Sequence, residues 1–343
     1  MSSIPTPAIQ PGSWILVTGV NGFIGSHIAD QLLLTGYKVR GTVRNVPKNA
    51  WMAEFFESKY GKGVFELIEV GDMSQEGSLD DAMKGISGVA HVASVLSLDP
   101  NPHNVVPPTI AFAVNALKAA AAEPSVKRFV LTSSSTAAYA PAPNLGRTID
   151  TKTWNEDSVK AAWAPPPYEP ERTWVTYAAS KTEGEQAVWK WVEENEPALV
   201  VNTVLPAVNF GPALDVAHQG RPSTSYAITE ALEGEFKIFG SFAPGFFIDV
   251  RDTARLHIIA LLHPDVKNER IFGFAGSFTW GDVYGVLRQM FPERNFPEPD
   301  SNAPRDTNTI LPAERAEGLL REMGRSGWVG LEETVRASLE GFA

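Results

Sequence analysis

Residues 14–25 read Trp14-Ile-Leu-Val-Thr18-Gly19-Val20-Asn21-Gly22-Phe23-Ile24-Gly25. The apolar run up to Thr18 is a short buried strand. A turn with glycines at 19, 22 and 25 follows at once, and a helical pattern runs from Phe23 to Thr35, where Gly36 stops it. In a strand–turn–helix of this kind, glycines let the backbone approach a pyrophosphate, and the helix N-terminus supplies oriented N–H donors. The spacing is G-x-x-G-x-x-G, and its place between strand and helix gives it meaning. A dinucleotide cradle is expected on Gly19, Asn21, Gly22, Phe23 and Ile24.

The same alternation continues outward. Tyr37 to Val43, Val64 to Val70, Gly88 to Ala93 and Lys127 to Thr132 read as further strands, and Val105 to Glu123 as a helix. Strands alternating with helices imply a parallel sheet with right-handed crossovers. A Pro-rich stretch from Ala140 to Glu171 interrupts the pattern as a long surface insertion. Trp174 to Glu196 is a long helix, and Leu199 to Leu205 a strand stopped by Pro206. Later come a helix over Asp249 to Leu262, a strand over Ile271 to Ala275, and short helices over Trp280 to Phe291 and Leu331 to Leu339. The expected fold class is α/β: a doubly wound parallel sheet of the Rossmann type with a smaller C-terminal substrate lobe. Residues 1–205, with 248–275 returning to them, form the dinucleotide-binding domain; residues 206–247 and 276–343 form the lobe.

The chain has 343 residues, 43% of them hydrophobic and 20% charged, enough for a sizeable core and against global disorder. Its 29 basic and 40 acidic side chains give a net charge of −11, which argues against a nucleic-acid or anionic-membrane surface. There is no Cys, so disulfides, thiolate metal sites and a Cys nucleophile are excluded. Met1 to Ser13 has no apolar core of a signal peptide, and no run approaches the roughly 18 apolar residues of a membrane span. A cytoplasmic protein, monomer or homodimer, is expected.

The end of the second strand bears on the cofactor. An NAD site usually offers Asp or Glu there, about 20 residues beyond the loop. No acidic residue occurs between Asp30 and Glu54; instead Arg44 closes the strand and Lys48 follows about a turn later. Both suit an adenosine 2′-phosphate, Arg as a planar fork and Lys as a point charge. NADP(H) is therefore expected, with Arg40 solvated. Asp72 and Met73, after the third strand, are placed to hold the adenine, and Ala93 is small where a cofactor would pass.

The fifth strand ends in Thr132-Ser133-Ser134-Ser135, hydroxyls at the carboxyl edge of the sheet, where ligands bind. On the long helix Tyr177 and Lys181 lie at i,i+4, on one face. An ammonium beside a phenol favours the phenolate, which lets one hydroxyl serve as acid and base.

In this order the three features resemble the extended short-chain dehydrogenase/reductases, and within them the fungal and yeast carbonyl (aldehyde and methylglyoxal) reductases related to plant dihydroflavonol reductases. The likeness spans nearly the whole chain. It is carried by Val17-Thr-Gly-Val-Asn-Gly-Phe-Ile24, Tyr37-Lys-Val-Arg-Gly-Thr-Val-Arg44, Gly88-Val-Ala-His-Val-Ala-Ser94, Pro124-Ser-Val-Lys-Arg-Phe-Val-Leu-Thr-Ser-Ser134, Val175-Thr-Tyr-Ala-Ala-Ser-Lys-Thr182 and Asn209-Phe-Gly-Pro212. The resemblance implies a small-molecule carbonyl substrate, with Tyr177 as proton donor and hydride from the nicotinamide. Lys181 would lower the Tyr177 pKa and hold the nicotinamide ribose. A Ser would orient the carbonyl: Ser133 or Ser134, with Ser134 favoured and Ser135 the position used by sugar-nucleotide epimerases. Pro206 and Ala207 would lie against the nicotinamide and Ser225 near the pyrophosphate. Trp174, Tyr226 and Phe242 would line the substrate wall.

Other polar residues read as structural. His91 is a core residue in a strand, and His257 and His263 have no second ligand at metal spacing, so no metal site is expected. Glu183 and Glu185 belong to the solvated side of the Tyr177 helix. Asp150 and Trp154 anchor the insertion, and Asp249 and Asp252 cap the following helix. Two rival readings stand beside the reductase: a sugar-nucleotide epimerase or dehydratase, and a non-catalytic NADP-sensing regulator. Arg44, Lys48 and the apolar 236–248 segment count against the first, and the intact Tyr/Lys pair against the second.

Overall fold

A computed structural model describes residues 6–234, 245–298, 300 and 302–342. The first half runs β1 (Trp14–Val17), α1 (Phe23–Leu34), β2 (Lys38–Val43), α2 (Trp51–Tyr60), β3 (Phe65–Glu69), α3 (Asp80–Met83), β4 (Gly88–His91), α4 (Pro102–Ala122) and β5 (Arg128–Thr132). Next come β6 (Thr148–Ile149), α5 (Glu156–Ala162), α6 (Thr173–Asn195), β7 (Val200–Pro206), β8 (Val208–Phe210), α7 (Val216–Gln219) and α8 (Tyr226–Glu233). The chain continues through β9 (Phe246–Asp249), α9 (Val250–Leu262), β10 (Arg270–Gly273), β11 (Gly276–Ser277), α10 (Trp280–Met290), β12 (Thr309–Ile310), α11 (Pro312–Glu322) and α12 (Leu331–Ser338).

The doubly wound sheet is present. Seven parallel strands lie in the order β10-β7-β5-β4-β1-β2-β3. The order reverses between β1 and β4, and a ligand crevice opens at such a switch point. Both faces are covered. Ile15 and Val17 of β1 join Ile28 and Leu32 of α1 and Leu256 and Ile259 of α9 on one side. Leu16 points to the other, with Ala116, Leu117 and Ala120 of α4 and Val188 of α6. The small residues of α4 let it lie close along α6.

At 21 residues α4 is long and apolar enough, by length and composition, to cross a membrane, where none was expected to be. Its buried stripe faces the sheet and α6, the packing of a core helix. It also begins earlier than expected, at Pro102, because the Asn101 side chain accepts a hydrogen bond from the His103 N–H at 3.1 Å and caps it.

The smaller lobe has a sheet of its own, β11-β9-β8. Its core gathers Phe210, Ile228, Phe247, Phe278, Val283, Leu287 and Val335. Residues 250–262 and 270–273 return to the Rossmann half as α9 and β10. So does α11, whose Ala316, Leu319 and Leu320 pack in the core shared with α1 and α9, although the span from 276 onward was assigned whole to the lobe.

The 140–171 stretch is more than a surface insertion. β6 pairs in parallel with β12, Ile149 is buried, and α5 packs on α6. The pairing joins the insertion to a segment 161 residues away, through Thr148↔Thr309 and Ile149↔Ile310. Local sequence carries no sign of such a two-residue ladder.

Two glycines of the loop are fixed by space. Gly19 has φ +62°, a left-handed conformation. A Cβ on Gly25 would overlap the Gly19 carbonyl oxygen, a backbone atom that cannot turn aside. Gly25→Ala is therefore expected to cost about 2 kcal/mol of stability and to abolish protection by added dinucleotide. Thermal melts with and without cofactor would show both effects.

Candidate active site

The carboxyl edge of the sheet gathers the predicted residues. Thr18 closes β1, and its hydroxyl oxygen accepts the N–H groups of Val92 and Ala93 at 2.9 and 3.0 Å. This draws the end of β4 against the Gly loop, where Ala93 would touch a Cβ on Gly19 at 3.3 Å. A small residue is needed at both positions. α1 opens at Gly22 with no side-chain cap, so its first-turn N–H groups are available to an anion. Asn21 is exposed, and its carbonyl accepts from Gln219 of α7 at 3.4 Å.

Ser134 lies just beyond β5. Its Oγ accepts from the Thr136 N–H at 3.2 Å and the Thr136 hydroxyl at 2.9 Å. With its acceptor positions filled, its own proton is left to turn to the neighbouring Tyr177 phenol, on which Ser134 acts. Burial raises the phenol's pKa, and Ser134 opposes the rise. The expected depression of Tyr177 by Lys181 is not among the causes; burial is the larger influence. Lys181 itself is buried, its Nζ 3.4 Å from the Thr132 carbonyl, and burial lowers it to about 8, with Glu185 acting in the opposite direction.

Ser133 faces away from this pair: its hydroxyl donates to Glu185 at 2.7 Å. Ser135 starts the 3₁₀ turn that follows, and its carbonyl accepts from the Ala138 and Tyr139 N–H groups. The neighbouring hydroxyl of Thr132 donates to His257 Nε2 at 2.7 Å, because His257 Nδ1 donates to the Thr253 carbonyl at 2.8 Å.

Arg44 and Lys48 are exposed beyond β2, and among the described residues neither side chain makes an ion pair or hydrogen bond. Asp72 is also exposed; hydrogen bonds from Ser74 hold its carboxyl below the usual carboxylate range. Met73 beside it is buried, and its carbonyl accepts from Asn115 at 3.3 Å. Pro206 and Ala207 end β7, with the Ala207 N–H on the Gly273 carbonyl at 2.9 Å. Ser225 is turned inward, its hydroxyl on the Pro222 carbonyl at 2.7 Å.

A cavity of about 720 Å³ joins the end of the Gly loop to the hydroxyl, phenol and ammonium groups. Phe23 and Ile24 of the Gly loop, Ser134, Tyr177, Lys181, Pro206 and Ala207 all line it. On the lobe side Ser223, Thr224 and Tyr226 line it, and Trp174, Val175, Leu96 and Phe246 make it largely apolar. Phe242 and most of the 236–248 segment lie outside the described residues.

Residues 15–273 match the model of the NAD dependent epimerase/dehydratase family. The chain belongs to this family. It is an oxidoreductase of the extended short-chain dehydrogenase/reductase type. Aldehyde reductase 2 of Sporidiobolus salmonicolor is 40% identical over 98% of both chains. Ketoreductase adrE of Penicillium rubens is 42% identical over 99% of this chain and 98% of its own. Among solved structures, yeast methylglyoxal/isovaleraldehyde reductase Gre2 complexed with NADPH superposes with a TM-score of 0.78 at 26% identity, covering 95% of this chain and 97% of that one.

Several polar residues of this epimerase/dehydratase-family chain differ from their sequence reading. Glu185 is buried, not solvated, as four donors converge on it; Glu183 is half-buried and accepts from Trp163 at 2.8 Å. Arg40 is not solvated either: it donates to Glu66 at 2.6 Å and to the carbonyls of Ala82 and Lys84. Asp249 caps α9 through the Arg251 N–H at 2.8 Å, but Asp252 instead accepts from the Val329 N–H at 2.7 Å and from Arg255. His91 accepts the Thr18 proton on Nδ1, which leaves Nε2 with the ring proton and no hydrogen-bond partner among the described residues. Asn155, missed in the sequence, donates to the Thr136 carbonyl at 2.8 Å and so fixes the turn behind Ser134.

Proposed function

We propose that the protein reduces ketones and aldehydes to chiral alcohols with NADPH. Compact carbonyl compounds such as 2-oxoaldehydes, oxoesters and aryl ketones are the substrate class. The observation that carries this reading is one cavity lined both by the end of the Gly loop and by Ser134, Tyr177 and Lys181. The cradle at Gly19 and Gly25, where a Cβ has no room, and the uncapped start of α1 fit a pyrophosphate. The unpaired Arg44 and Lys48 fit a 2′-phosphate, Asp72 and Met73 an adenine, and Lys181 a ribose.

The nicotinamide cofactor supplies the hydride. Ser134 donates a hydrogen bond to the carbonyl oxygen, and Tyr177 delivers the proton to the same oxygen as charge builds there. Lys181, in reach of the Thr132 carbonyl, supplies positive charge on the same helix face and favours transient phenolate at Tyr177. The largely apolar wall excludes water from the reacting carbonyl. A nucleotide-sugar reading would need free cations in the lobe. Among the described residues lining the cavity, Arg221 is the lobe's basic side chain, and it is held in an ion pair by Glu233.

The reading is tested by following NADPH oxidation against a panel of ketones and aldehydes; no turnover on any of them would overturn it. The cofactor assignment has its own test. Replacing Arg44 and Lys48 together by Ala should raise KM for NADPH by about tenfold or more and leave KM for NADH nearly unchanged. Equal effects on the two would remove the 2′-phosphate assignment.

A further inference from the structure

Glu185 lies one turn beyond Lys181 on α6 and is 1% exposed. Its Oε2 accepts a hydrogen bond from the Ser133 hydroxyl at 2.7 Å. Its Oε1 accepts from the Thr203 hydroxyl at 2.7 Å, from Arg270 Nε at 2.8 Å and from Trp189 Nε1 at 3.2 Å. The donors come from the end of β5, from β7, from β10 and from α6 itself. A carboxylate saturated in this way has no rotamer freedom left, and its charge stays where the fold puts it. The proposed reaction makes no direct use of it.

From Glu185 a line of contacts leads to Ser134. The Arg270 guanidinium lies 3.7 Å over the Trp154 ring and donates to the carbonyls of Thr151 and Thr153. Asn155, next in the chain, holds the Thr136 carbonyl, and Thr136 donates twice to Ser134 Oγ. Ser133, held directly by Glu185, fixes the other side of Ser134.

A second observation links Glu185 to Lys181. Both line a small cavity of about 20 Å³ behind the catalytic face, together with His91 and Ser133. The other titratable groups around Lys181 carry no negative charge. Burial keeps His91 on β4 neutral, at about 3, and His257 of α9, beyond Thr132, at about 4. Tyr177 is raised, and Arg270 of β10 faces Glu185. Glu185 is the anion that acts on Lys181, against the effect of burial.

We propose that Glu185 is a positioning residue of the catalytic centre. It holds Ser133 and the Arg270–Trp154 clamp so that Ser134 presents its hydroxyl to the cavity, and it keeps positive charge on Lys181. The inference rests on the reductase reading for what Ser134 and Lys181 do, though not for where Glu185 lies.

The test uses Glu185→Gln, which keeps the shape and removes the charge. That variant leaves Arg270 unpaired, so a second, Glu185→Gln with Arg270→Met, removes both charges of the pair. Three quantities are measured: the thermal melt, the pH dependence of Lys181 acetylation by acetic anhydride mapped by mass spectrometry, and the pH profile of kcat. In folded Glu185→Gln the Lys181 labelling midpoint should move down by about one pH unit, and in the double variant, which also loses the repelling Arg270 charge, it should move down by less. The basic limb of kcat, which reports loss of the ammonium, should move with it. A folded variant with the wild-type midpoint and the wild-type profile overturns the proposal. Should the wild-type protein reduce no carbonyl compound, the reductase reading falls, and the labelling midpoint alone still decides the role of Glu185.

Discussion

Tyr177→Phe should lose about 10³-fold in kcat with cofactor affinity unchanged. The substitution removes one oxygen and keeps the ring, which stands edge-on to Trp174 with centroids 6.1 Å apart. Packing along α6 is therefore preserved, and the loss reports the proton. A positioned general acid is worth about 10²–10⁴ in rate, and no other phenol replaces Tyr177 in the cavity: Tyr139 donates to Asp306 at 2.9 Å, and Tyr226 lies on the lobe wall. Single-turnover kinetics with a saturating ketone, together with the dissociation constant for NADPH, would separate chemistry from binding. Full activity in the variant would overturn the proposed proton donor.

Ser134→Ala should cost about 10²-fold in kcat, the range seen when one donor to a developing oxyanion is removed. The reason is specific to its surroundings. Thr136 occupies the acceptor side of Ser134 Oγ twice over, so the remaining proton is directed towards Tyr177 and the carbonyl oxygen. Ser133→Ala should behave differently. It removes a donor to a buried carboxylate, so stability falls and kcat falls less, because the Ser133 proton is already given to Glu185. Ser135→Ala should have a small effect. The order Ser134, Ser133, Ser135 in kcat loss is the expected result, and Ser133 leading that order would reverse the assignment.

The centre of the sheet was legible because its strands are short apolar runs followed by a strong terminator, as in Trp14 to Gly19 or Leu199 to Pro206. Tyr177 and Lys181 were legible because helical spacing alone brings them to one face. The same spacing applied once more would have found Glu185, four residues beyond Lys181, since a residue on the buried stripe is buried whatever its charge. It was misread because carboxylates are usually exposed, and the partners that admit this one, Ser133, Thr203 and Arg270, come from three separate strands. The helix α2 was missed because only Met52 and Phe56 on it are buried, too few to set a period. The direction of the Ser225 hydroxyl was not legible for a similar reason: a hydroxyl in a turn can bond inward, as here to Pro222, and no pattern in one sequence tells which way it turns.

The ladder between β6 and β12 joins two parts of the chain that are made far apart in synthesis. Every strand of the large sheet precedes Thr309 in the chain, so that sheet can close on the ribosome while the 140–171 segment still lacks its partner. That segment carries Trp154 and Asn155, which brace the turn behind Ser134. Its contacts there are to Arg270 and Thr136, so the brace itself draws on nothing beyond the large sheet, and the ladder ties down the other end of the same segment.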